Sequence, residues 1–152
     1  MSEDKSKDYK LERYKFILQQ LNSLNESSHK YIALFQTLAT AILGAGFAIF
    51  AALGEKKISA DTTRLGAYAI LWLFTLLTFF VLVSIIVNAV SWFDYRKEEV
   101  ELLSSEVHED FRKMPSWKNS WRWGDTYFAL SLLLILIIVW VYATFWLIPT
   151  IK

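Results

Sequence analysis

Apolar residues gather into three runs without a single Asp, Glu, Lys or Arg, at 31–53, 65–93 and 126–151. Each exceeds the roughly 20 residues that carry an α-helix across a hydrocarbon layer. The pattern predicts transmembrane helices at 31–53, 65–93 and 126–148, with Pro149 closing the last and a short loop at 54–64. As one helix the second run would be about 43 Å long, so it must tilt or protrude.

Outside these runs the pattern becomes periodic. Leu11, Tyr14, Leu18 and Leu21, with Ile17 and Leu24 beside them, recur at helical spacing within residues 1–30. Beyond Asp94, Val100, Leu103, Val107, Phe111 and Met114 repeat at intervals of three and four, with charged residues between. Two amphipathic helices are expected, the second of about five turns and ended by Met114-Pro115. Residues 25–28 could hinge the first or cap the span that follows. The two apolar stripes need cover, from each other, a second copy, the membrane surface or a soluble partner. Trp92, Trp117, Trp121 and Trp123, interleaved with Lys118 and Arg122, read as interfacial anchors in a connection spanning 94–125. The expected fold is an all-α polytopic membrane protein, with three transmembrane helices and two cytoplasmic amphipathic helices.

Charge gives that fold a direction. Residues 1–30 and 94–125 carry six Lys and Arg each, against four in the rest of the chain. The excess puts both segments in the cytoplasm and the end of the chain, 149–152, outside. The first apolar run is too long for a signal peptide, so the amino terminus is expected to be retained.

Polar groups within the runs come next. Gln36, Asn88 and Ser131 each lie five residues inside the expected cytoplasmic edge of a span, with Thr40, Ser84 and Ser91 nearby. An unpaired amide in hydrocarbon costs several kcal/mol, so this layer must bond between helices or line a wet vestibule. In the first span Thr40, Gly44, Ala48 and Ala52 form a ridge of small residues, which marks that span as the expected packing centre. No charged residue stands at mid-depth, which argues against an ion-coupled carrier.

Candidate chemistry is sparse. The chain has no cysteine and a formal net charge of +1, so thiol chemistry is absent and direct nucleic-acid binding is not expected. His108 stands between Glu106, Glu109 and Asp110, but adjacent helical positions diverge and cannot chelate together. His29 lies next to Lys30 at a membrane edge. Gly44 and Gly46 belong to an apolar helix, not a phosphate loop. No catalytic constellation, metal site or cofactor site is expected.

The aromatic-bearing helix of residues 9–24, the close pair of spans and the charged helix of 95–114 resemble the layout of SLATT-type bacterial membrane effectors. The third span has no counterpart in that two-span layout. The resemblance implies a homo-oligomer in the bacterial inner membrane, acting in anti-phage defence by perturbing the membrane or forming a pore. A different expectation is a non-conducting anchor or sensor whose cytoplasmic helices dock a soluble protein.

Overall fold

The computed structural model describes residues 3–106 and 112–151, with the side chains of 7–105, 112–119 and 123–151. Val107, His108 and Phe111 fall outside the described residues, as does the side chain of Trp121. Every regular element among the described residues is helical. Helix α1 runs Glu3–Gly54 and α2 runs Ala60–Glu106. A 3₁₀ helix, Trp117–Arg122, precedes α3, Gly124–Tyr142. Three helical stretches, Lys7–Gly54, Ala60–Ser105 and Gly124–Thr150, are long and apolar enough to cross a membrane.

The amphipathic segments are not separate helices, at least as far as Glu106. Residues 25–28 form no hinge, because α1 passes through them and Ser27 bonds back to the Ser23 carbonyl at 2.8 Å. Residues 94–106 likewise continue α2. The expected end at Met114 is corrected, since residues 112–116 are not helical. Two causes act there. Pro115 disfavours helix in the residue before it. Arg112 also returns to Glu99, 13 residues earlier, at 2.6 Å, a separation of about 20 Å along a straight helix.

The loop expected at 54–64 shrinks to the few residues between Gly54 and Ala60. Lys57 N–H bonds to the Ala52 carbonyl and Lys56 N–H to that of Leu53, both at 2.9 Å. These crossed bonds close α1 as a Schellman motif, with Lys56 at the left-handed position (φ 56°) usually held by glycine. Ser59 then caps α2 by accepting from Thr62 N–H at 3.2 Å.

Between Ala67 and Asn88 of α2 the buried positions Ala67, Leu71, Phe74, Thr78, Val81, Ile85 and Asn88 alternate at spacings of four and three, with Thr63, Glu99 and Val100 buried on either side of that stretch. On α1, Leu21, Ser28, Phe35 and Ile42 lie seven apart. Such heptad spacing is that of knobs-into-holes packing. The most apolar stretch of the second span is 28% buried, against 6% for the first and 11% for the third. The second span, rather than the first, is therefore the packing centre.

The chain divides into two compact units. Unit 2 comprises Tyr31–Ser84 and Tyr127–Lys152. There Phe35 meets Phe74 at 5.9 Å, and Trp140 meets Trp72 edge-on at 5.7 Å while donating to Thr75 Oγ1 at 2.8 Å. Ala67 and Leu71 of α2 cluster with Ala143 and Ile148 beyond α3. The third helical stretch does not stop at Tyr142. It widens into a π turn over Ala143–Leu147 and continues to Thr150, with Ile148 N–H reaching the Ala143 carbonyl. Pro149 lacks an N–H and crowds the preceding turn, and the wider turn makes room for its ring. Arg64 fastens the end by donating to the Ile151 carbonyl at 2.6 Å.

Two glycines of unit 2 give contrasting expectations. A Cβ on Gly66 would lie 3.0 Å from Ile49 Cδ1, whereas one on Gly44 meets nothing within 4 Å. Gly66→Leu should therefore cost about 1–3 kcal/mol by overpacking. Gly44→Leu should leave the stability of the isolated chain within about 0.5 kcal/mol. Unfolding of both variants in detergent, followed by circular dichroism, checks the contrast.

Candidate functional site

Unit 1 comprises Met1–Lys30 and Ile85–Thr126. It brings together the two segments that the sequence marks as amphipathic, so each covers the other. Ile17 is fully buried, and Leu21 and Val100 are nearly so. Arg13 Nε donates to Glu98 Oε1 at 2.7 Å, and Phe16 meets Tyr95 edge-on at 6.3 Å. Of the stripe expected to meet a partner, Leu21 and Val100 are thus consumed inside the chain. Tyr14, Leu18 and Leu103 are half-buried, and Leu11 is exposed. The buried line shifts to Ile17 and Leu21 because that is the edge facing inward at heptad spacing.

Within unit 1, Glu99 has no exposed surface and accepts from both Arg96 and Arg112, at 2.5 and 2.6 Å. A buried carboxylate is tolerated only when paired, and here two guanidinium groups share the task. Arg96 also stands over the Trp92 ring, 5.6 Å from its centroid.

Asn88 is the centre of the second polar group. Its amide donates to the Leu24 carbonyl at 2.9 Å and to Ser28 Oγ at 2.8 Å, both on α1. Ser28 in turn donates to Asp125 Oδ2 at 3.4 Å. An open cleft of about 290 Å³ lies here, lined by Asn25, Asn88, Trp92, Trp123, Gly124 and Asp125. Its aromatic wall is deep. Trp92 and Trp123 meet at 5.5 Å, Trp117 and Trp123 at 5.5 Å, and Phe93 stacks on Trp117 at 4.5 Å.

No family model, curated protein or solved structure matches this chain. Its own geometry therefore carries the functional reading. Of the expected polar layer, Asn88 belongs to unit 1, and Gln36, Thr40, Ser84 and Ser131 belong to unit 2. Thr40, Ser84 and Ser131 bond back to the carbonyls of Gln36, Phe80 and Tyr127, each four residues earlier. Such back-bonding satisfies a hydroxyl without any neighbouring helix. Asn88 finds its partners at Leu24 and Ser28, just ahead of the first apolar run.

The small-residue ridge is likewise left open. Thr40, Gly44 and Ala48 are exposed and Ala52 is half-buried, whereas Phe35, Ile42 and Gly46 face inward. Ser91 and Trp92 are half-buried, and Trp117 is exposed. His29 is exposed, and no three His, Asp or Glu gather as metal ligands among the described residues.

Ser28, Glu99 and Asp125 are the site residues that apolar patterning misses. The first two stand at heptad positions that a polar side chain occupies, and Asp125 pairs across 97 residues of sequence.

Proposed function

We propose that this chain is a homo-oligomeric, multi-pass inner-membrane protein that perturbs the membrane or forms a pore, with its amino terminus in the cytoplasm. The observation that carries this reading is the open face of the first span. Gln36, Thr37, Thr40, Gly44 and Ala48 are exposed there, with Leu43 and Phe47 among them, while the outer faces of the second and third spans carry Leu65, Trp72, Leu76, Phe79, Leu134 and Ile138. Bulky apolar side chains suit lipid. A face with a free amide and a row of small residues does not, and it is satisfied by close helix packing between copies or by water between them. Such a face would let copies of the chain associate closely, as the SLATT-type resemblance implies for a membrane-perturbing assembly. The anchor reading is weaker, because the stripes that would dock a soluble partner are largely covered within unit 1.

The absence of cysteine makes the test clean. Thr40→Cys and Ala48→Cys should yield disulfide-linked dimers in membranes, whereas Leu76→Cys and Leu134→Cys should not. Purified protein should release a trapped dye from liposomes, and Gly44→Leu should lower release at least tenfold with helicity unchanged. A chain that is monomeric in nanodiscs and releases no dye from liposomes overturns the proposal.

A further inference from the structure

We infer that the cleft of unit 1 between Trp92, Trp123 and Asp125 is a binding site for an ammonium group. The argument begins with a count of hydrogen-bond donors. Asn88 has two N–H groups, and both are spent, on the Leu24 carbonyl and on Ser28 Oγ. Ser28 has one O–H, and Asp125 Oδ2 takes it. What this chain of bonds leaves over is acceptors only. Asn88 Oδ1 carries no hydrogen bond among the described residues, although the residue is only 7% exposed. Among the described residues no buried side-chain oxygen or nitrogen lacks a partner, so Oδ1 must reach open space at the cleft that Asn88 lines. Asp125 has its second carboxylate oxygen to offer and makes no ion pair among the described residues.

The walls have the same preference. Trp92 and Trp123 meet at 66° and form an aromatic corner, and indole faces attract cations more strongly than other aromatic rings do. Trp92 already accepts one cation, the Arg96 guanidinium, whose own charge is answered by Glu99. An anion in this cleft would meet the Asp125 carboxylate. An uncharged apolar ligand would leave two oxygens dry, at a cost. An ammonium group answers the carboxylate, the amide oxygen and both rings together. The volume of about 290 Å³ admits a trimethylammonium or a primary ammonium with its first water molecules. Two sources carry such a group, a lipid headgroup and a free soluble amine. Trp92 stands at the end of one uncharged run and Asp125 just before another, which places the lipid headgroup within reach.

The test uses the full chain in detergent, with native mass spectrometry and tryptophan fluorescence. Phosphatidylethanolamine should be retained at one molecule per chain and phosphatidylglycerol should not. Tetramethylammonium chloride should displace the retained lipid where sodium chloride of equal ionic strength does not. Asp125→Asn keeps an oxygen for Ser28 and should weaken retention about tenfold. Trp123→Leu should do the same, and Asp61→Asn, in unit 2, should do nothing. Saturation by choline in lipid-free detergent assigns the soluble source, and retention of the lipid alone assigns the membrane source. Equal retention of both lipids, failure of tetramethylammonium to compete, or wild-type affinity in Asp125→Asn with normal circular dichroism overturns the inference.

Discussion

The Arg96→Ala/Arg112→Ala double variant is expected to lose about 3–5 kcal/mol of stability, more than its two single variants together. Glu99 has no exposed side-chain surface, while the side chains of Arg96 and Arg112 are 23% and 40% exposed. Either arginine alone still pairs the carboxylate, so each single loss should cost about 1 kcal/mol, the scale of one charge-assisted bond. Removing both leaves a buried charge with no partner, and the penalty arrives at once. The sign of the non-additivity is the test. Glu99→Leu removes the need for either arginine, so Arg112→Ala should be nearly silent in that background. Unfolding in detergent, followed by far-ultraviolet circular dichroism, reads these five variants against the parent chain. Additive single losses, or an unchanged cost of Arg112→Ala beside Leu at position 99, would show that the carboxylate is solvated.

The same cluster shows where sequence reading stops. Glu99 sits in a run of charged residues and looks like part of a solvated face. Its burial depends on Arg112, which reaches it because residues 112–116 are not helical. Nothing local announces that return. The three apolar runs were legible for the opposite reason, since uncharged stretches of that length fold as helices long and apolar enough to cross a membrane. Inside those runs periodicity fades. Residues 65–93 are apolar on every side, so the heptad seam through Leu71, Phe74, Thr78 and Val81 has no polar background to stand out against. The continuity of α1 was hidden by residues 25–28, whose polar side chains suit a cap as well as a helix face. Asn88 was recognisable as a group needing a partner. Its partner was not, because Ser28 lies outside the run and the pairing spans 60 residues.

Truncating Trp140 to Ala is expected to cost about 3 kcal/mol, at the lower end for an aromatic residue, because the indole is only half-buried. The indole joins α3 to α2 in two ways. Its ring meets Trp72 edge-on at 5.7 Å, and its N–H donates to Thr75 Oγ1 at 2.8 Å. Thr75 passes the bond on by donating to the Leu71 carbonyl, so one hydroxyl serves both as acceptor and as donor. Conservative changes separate the two contributions. Trp140→Phe keeps most of the ring contact but loses the donor, and Thr75→Val keeps the shape but loses the acceptor. Thr75→Val should be the more damaging, at about 1–2 kcal/mol, since it leaves an indole N–H without a partner away from water. Trp140→Phe should cost about 1 kcal/mol, and the double variant little more, giving a coupling near 1 kcal/mol. A coupling of zero would mean that α3 is held by ring contact alone. The helical stretch after Tyr142 should respond in step, because Ala143 and Ile148 pack in the same cluster as Val139 and Trp140. Protease cleavage near Ile151 should therefore accelerate in Trp140→Ala and remain slow in Trp140→Phe.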